Sequence, residues 1–349
     1  MTALVGMMAR VGIESEALLD FKGENRIDMN TQKALTRLLT EYGFVDLMGV
    51  NDANALTAAI GQLPPDVRTV WIKTLKGLYD LNRFRCGERH ETMTDICNAE
   101  QLPEDFHKQL NLVVVSKQVA EKREIPVHTG YATRVCEPEL SLADSVDHCT
   151  TIERARVLRE RGNFPAGSSR NEIWTNLFKL PAELSAEVTL LDGYFFHYNL
   201  QRKGAPRDHV TWFIRELNRT LLEGSSLRLL CQLPEGSTVL GLEQTVQDLL
   251  SPIVGSGRLA SIHVVLAPAR GSTRLPHNRH LRFSCGAAIT SDEGFDRLGR
   301  SKIDGVEGFS WKAVMSAEML GEFSRREDQF LKSPKRVEIQ VNARSSSRQ

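Results

Sequence analysis

Three short clusters in this sequence hold residue types that can handle a phosphate. The first is His277-Asn278-Arg279, directly ahead of an apolar run. Side chains alternate along an extended chain, so His277 and Arg279 at a strand mouth face the same side. An imidazole there can attack phosphorus or protonate a leaving oxygen, and a guanidinium is a planar fork of donors that matches phosphate oxygens. The second cluster is Asp192-Gly193-Tyr194, an acid and an aromatic closing the run EVTLLD. The third is Ser168-Ser169-Arg170, ahead of the helix-like EIWTNLFKLPAEL. Hydroxyls, unpaired backbone N–H groups and a guanidinium at a helix start suit an anion, although Ser and Asn there also serve as a plain cap.

The elements that must position these clusters begin at Glu187. EVTLLD, SLRLLCQLP and SIHVVLAP read as strands, and DHVTWFIRELNRTLLEG and TVQDLLSPIV read as the helices between them. Helix-length crossovers join parallel neighbours, so a parallel α/β layer is expected. Ligands of such sheets sit beyond the carboxyl ends of the strands, which predicts that Asp192 and Tyr194 line one crevice with the loop before His277.

The segment Pro276–Leu298 resembles the closing motif of a phospholipase-D-like family, in which a His-Asp-Arg triplet opens a strand and a Gly-Leu-Asp-like triplet follows. Here they stand as His277-Asn278-Arg279 and Gly294-Phe295-Asp296. The Asp-x-Tyr at Asp192 and Tyr194 is a second point of likeness, so the resemblance runs from about Arg161 to Phe330 and leaves the first 150 residues unmatched. The same family includes the carboxy-terminal membrane-binding domain of a eukaryotic midbody trafficking protein and bacterial relatives in genome-defence neighbourhoods. The sequence departs from the usual enzyme signature, with Arg279 at the lysine position, Ser284 at the aspartate position and Asn278 in place of an acid. The resemblance implies a phosphate-facing pocket with His277, Arg279 and Asp192 as catalytic candidates and Asn278 and Tyr194 as ligand-binding candidates, to which the helix start adds Arg170, Ser168 and Ser169. It implies no cofactor and no metal.

Composition sets the outer bounds. The chain has 349 residues, 41% hydrophobic and 25% charged, with Lys+Arg and Asp+Glu equal at 44 each, so no global basic excess announces nucleic acid. No apolar run is long enough to cross a bilayer, and the opening MTALVGMMARVG is too short and weakly patterned for a secretory signal, which predicts a cytoplasmic protein. Cys86, Cys97, Cys136, Cys149, Cys231 and Cys285 are expected as free thiols. With His90 and His148 they fit none of the usual zinc frames.

The expected organisation is a small, mostly helical module over residues 1–86, a polar linker over 87–107, a phospholipase-D-like α/β domain over 108–335 and a tail over 336–349. Helical spacing predicts helices at TQKALTRLLTEYG, closed by Gly43, at ANALTAAIGQL, capped by Asp52, and from Pro64-Pro65 onward, with Trp71, Leu75 and Leu78 as a core face. Further helices are expected from about Leu142 to Arg161 and across FSWKAVMSAEMLGEFSRREDQFLKSP, before a short strand in the tail. Three functions stay open: a phosphodiesterase or nuclease, a non-catalytic reader of nucleic acid or a phosphorylated ligand, and a scaffold in a bacterial defence complex. A homodimer or larger assembly is expected, because phospholipase-D-like sites are usually built from two copies of the motif and this chain carries one.

Overall fold

The computed structural model describes residues 6–20, 29–125, 130–131, 137–160, 162–197, 199, 208–233, 239–268, 279–303 and 308–343. The chain divides into two compact units, Met1–Leu158 and Arg159–Gln349. The segment 87–107, expected as a linker, therefore lies inside the first unit, where Met93–Asn98 is a helix with a Thr92–Asp95 capping box.

The first unit is built on a sheet rather than on helices alone. Strands β1 (Ala9–Ile13), β2 (Gly43–Leu47), β3 (Phe84–Cys86), β4 (Leu112–Val115) and β5 (Glu139–Leu142) run parallel in the order β3-β2-β1-β4-β5. The expectation of a mostly helical module fails because its strands are at most five residues long. β2 and β4 are also buried at every position, so they show no alternation that a sequence pattern could reveal. Alternation appears instead in what each residue packs on: Leu112 and Val114 join one core with Trp71 and Leu78, and Val113 and Val115 join the other with Met93 and Phe106. Trp71, Leu75 and Leu78 thus form the core face their spacing predicts.

Local differences have local causes. Gly43 opens β2 instead of closing the Met29–Tyr42 helix, and the buried Arg83 guanidinium caps that helix by donating to the carbonyls of Leu39, Thr40 and Gly43 at 2.6–3.2 Å. Asp52 sits within the Val50–Gly61 helix, and its carboxylate accepts from the N–H groups of Met48 and Met93. The helix expected from Leu142 begins at Thr150, after β5.

The second unit carries a mixed sheet in the order β13-β9-β8-β7-β10-β11-β12-β6. Its centre is the expected parallel layer: β7 (Glu187–Leu191), β8 (Ser225–Leu233) and β9 (Leu259–Pro268), with helices His209–Thr220 and Val239–Val254 between them. β10 (Arg279–Phe283) then pairs antiparallel with β7, with His280 opposite Leu191 and Phe283 opposite Val188. That pairing brings the start of β10 to the carboxyl end of β7. β11 (Ala287–Ser291), β12 (Phe309–Val314) and β6 (Gly162–Phe164) extend this side, and β13 (Val337–Asn342) closes the other. FSWKAV, expected as helix, is strand β12, and the helix runs only over Ala317–Leu331. Its Phe330 packs with Leu191, Leu230 and Val265, and its Phe323 with Ala288 and Val314.

Candidate functional site

At the carboxyl end of β7 the chain turns, and Asp192 is fully buried in that turn. One carboxylate oxygen accepts from the Tyr194 N–H at 2.9 Å, which is the local bond expected of an Asp two residues upstream. The other accepts from the Phe295 N–H at 2.9 Å, at the start of the 3-10 turn Phe295–Gly299. Asp192 therefore ties the end of β7 to the segment after β11. The register of β7 and β10 adds Arg279, whose Nε lies 3.4 Å from the Asp192 carboxylate.

Arg279 is held on three sides. Its Nη1 donates to the Asp292 carbonyl, its guanidinium lies over the Tyr194 ring at 5.4 Å from the centroid, and its side chain is only 12% exposed. Gly294, at φ +99°, passes so close that a Cβ there would meet the Arg279 Cδ at 3.0 Å and Nε at 3.1 Å. Both the left-handed backbone and the close approach require glycine. Among the described residues, the Nη2 amino group of Arg279 has no hydrogen-bond partner. Tyr194, 47% exposed, rests against His197 edge-on at 5.7 Å.

The electrostatics are unbalanced in a useful direction. Burial pushes the Asp192 carboxyl up to about 6, against the pull of the Phe295 N–H, the Arg279 charge and the Tyr194 N–H. The nearby Asp296 carboxylate pushes it up as well, so as pH falls through about 6 Asp192 becomes protonated and Asp296 is left as the carboxylate beside Arg279.

Asp192, Tyr194, Arg279, Gly294 and Asp296 thus meet as one cluster, with Asp296 placed within 2.8 Å of where a Gly294 Cβ would stand. His277 and Asn278 lie outside the described residues. Ser284 does not substitute for an acid of the site. Its hydroxyl accepts from the N–H groups of Ala186 and Glu187 at 3.1 and 3.2 Å, at the far end of β10, so it holds the backbone at the start of β7.

The Ser168-Ser169-Arg170 cluster forms a helix start, but its guanidinium is already occupied. Arg170 pairs with Asp208 at 2.5 Å, lies over the Trp212 ring at 4.5 Å and reaches the Leu298 carbonyl. Ser169 caps its helix by accepting from the Asn171 N–H, and Ser168 exchanges backbone bonds with Pro165 and Ile303. Ser169 thus serves as a cap, and Arg170 braces the 3-10 turn from its far end.

Sequence reasoning missed a second charged cluster on β10. Arg279, Leu281 and Phe283 point to one face, so His280 and Arg282 point to the other. There the buried Glu327 of the Ala317–Leu331 helix pairs with His280 Nε2 at 3.0 Å and with Arg282 in a bidentate fork. The His280 ring stacks on Phe323 at 4.5 Å. A single Glu amid the polar run SRREDQF gave no signal of burial. Only its phase with Phe323 and Phe330 on a helix could have marked it.

In the first unit the strand order reverses between β1 and β4, the place where parallel sheets open a crevice. There Glu14, just past β1, ties it to the end of β4, accepting from the Ser116 N–H at 2.6 Å and hydroxyl at 3.1 Å, and burial pushes its carboxyl up. Among the described residues no three His, Cys, Asp or Glu side chains are grouped to hold a metal, and no helix is long and apolar enough to cross a membrane. No protein-family model matches this chain, and no curated protein matches it significantly.

Proposed function

We propose that the second unit is a phospholipase-D-like module that recognises a phosphodiester through Arg279. The observation that carries this reading is the guanidinium itself. It is fixed by Asp192, Asp292 and Tyr194, yet keeps an amino group with no partner among the described residues at the strand end where ligands of α/β sheets bind. A guanidinium pre-organised in this way loses little freedom when a phosphate arrives.

Recognition without cleavage is the form the site supports best, because Ser284, at the position of the usual catalytic acid, is engaged in holding backbone. His277 is the candidate nucleophile if the module cleaves. A homodimer belongs to the same proposal, since two copies of the chain supply the two motifs such sites use. Work in a bacterial defence complex is the setting that the resemblance suggests.

The test is a pair of variants assayed for binding and for cleavage of phosphodiester substrates. Arg279→Ala is expected to lose roughly 1.5–3 kcal/mol of affinity, the size of a charge-assisted contact, while His277→Ala binds within a few-fold of wild type. Abolition of a wild-type cleavage activity by His277→Ala would move the protein to the phosphodiesterases. Wild-type protein that binds no phosphodiester would overturn the reading.

A further inference from the structure

We infer that the phosphodiester recognised at Arg279 belongs to single-stranded nucleic acid, with Tyr194 as the platform on which an unpaired base stacks. This rests on the reading of Arg279 as the phosphate-binding group and extends it from a chemical group to a substrate class.

Three observations carry it. Tyr194 is nearly half exposed although it adjoins a buried carboxylate and a largely buried guanidinium. Its ring is not loose, because Arg279 lies over it at 5.4 Å, His197 meets it edge-on at 5.7 Å, and its own backbone N–H is fixed by Asp192. A rigid exposed ring flanked by a guanidinium is the pairing that single-strand binders use, with the base on the aromatic and the adjacent phosphate on the cation. In a duplex the base faces are covered by their neighbours, so only an unpaired base can reach the ring.

Among the described residues, little near Arg279 offers the apolar insertion by which many proteins hold the other common source of phosphodiesters, an anionic membrane. Membrane-binding surfaces insert apolar side chains or present a polybasic cluster. The exposed large hydrophobic residues described in this unit are Tyr194, Leu222 and Met319. Leu222 bonds to Ser185 beside the opposite end of β7, and Met319 lies in the first turn of the Ala317–Leu331 helix, so neither adjoins Arg279. One upright tyrosine offers a base a surface but offers a bilayer very little.

The experiment uses the full chain and four probes: a fluorescent oligothymidylate carrying one 2-aminopurine, the same strand as a duplex, dimethyl phosphate, and vesicles containing phosphatidylserine. Wild type is expected to prefer the single strand and to quench the 2-aminopurine. Tyr194→Ala is expected to weaken the single strand about 5- to 100-fold and to abolish quenching, while Tyr194→Trp, which keeps a ring beneath the guanidinium, retains both. Unchanged thermal melting would show that the exposed site tolerates the replacement. Equal binding of strand and duplex, preference for vesicles, or an unaltered Tyr194→Ala would overturn the assignment to single strands. In each of those cases loss of dimethyl phosphate binding by Arg279→Ala still upholds the phosphate reading, whereas wild type that ignores dimethyl phosphate and every other probe ends both.

Discussion

Two carboxylates flank β10, and they behave in opposite ways. Asp192 meets one guanidinium at 3.4 Å, and burial dominates, so its carboxyl is pushed up. Glu327 is just as buried but receives Arg282 in a fork and His280 at 3.0 Å, and these partners hold its carboxyl below the usual range despite its burial. Consecutive residues of one strand, Arg279 and His280, thus serve different ends. The Glu327 cluster is a brace, with its charges paired and covered by the Ala317–Leu331 helix. The Asp192 carboxylate meets one guanidinium, holds it at a strand end and lies beside an aromatic ring that is half in solvent.

Removing each carboxylate is the harshest way to break that contrast. Glu327→Gln leaves Arg282 with no counter-charge and His280 with a weaker hydrogen-bond partner in a mostly covered interface, and a loss of about 3–5 kcal/mol in urea unfolding is expected. Asp192→Asn weakens one accepted N–H bond but also removes a charge disfavoured by burial, so at pH 7 it is expected to change stability by no more than about 1 kcal/mol. Equal losses would show that the two clusters are both structural.

Their pH dependences should also have opposite signs. Asp192 has a raised folded value, so its stabilisation is complete below the unfolded value near 3.8 and disappears as pH rises through about 6. Relative to Asp192→Asn, wild type should therefore lose up to about 3 kcal/mol of stability between pH 4 and 7. Glu327 has a lowered value, so its contribution is present above 4.5 and is lost as pH falls through its folded value. Urea midpoints across this range that track together for wild type and Asp192→Asn would contradict the Asp192 account.

A smaller effect sharpens the geometry. Gly294→Ala must hold a side chain at φ +99° and press on Arg279, so about 1–2 kcal/mol of stability should be lost together with phosphodiester affinity. Retained affinity would mean that the placement of Arg279 is not what binds.

How much of this was legible in the sequence follows from how each element is buried. β7, β8 and β9 could be read because each is a long apolar run separated by a helix with a clear polar face, and Asp192 and Tyr194 were found because they end such a run. The first unit was misread because five-residue strands buried on both faces leave no period, and the helices around them supply the stronger signal. β12 was absorbed into a helix because FSWKAV continues the apolar content of the stretch that follows. The pairing of Arg170 was hidden for a different reason: Asp208, its partner, lies 38 residues away, and no local pattern announces such a contact. Glu327 was invisible for the same reason, pairing with Arg282 across 45 residues.

On the proposed function, Arg279 binds phosphate under the control of Asp192. The most direct measurement is a dimethyl phosphate titration followed by the Arg279 Nε–H NMR resonance at pH 7.5 and 5.5, in wild type and in Asp192→Asn. The expected result is a saturable shift in wild type, several-fold tighter at pH 5.5, and in Asp192→Asn a binding that is tight at both values. An Arg279 resonance that does not respond, or an affinity that is the same at both pH values and unaltered by Asp192→Asn, would contradict it.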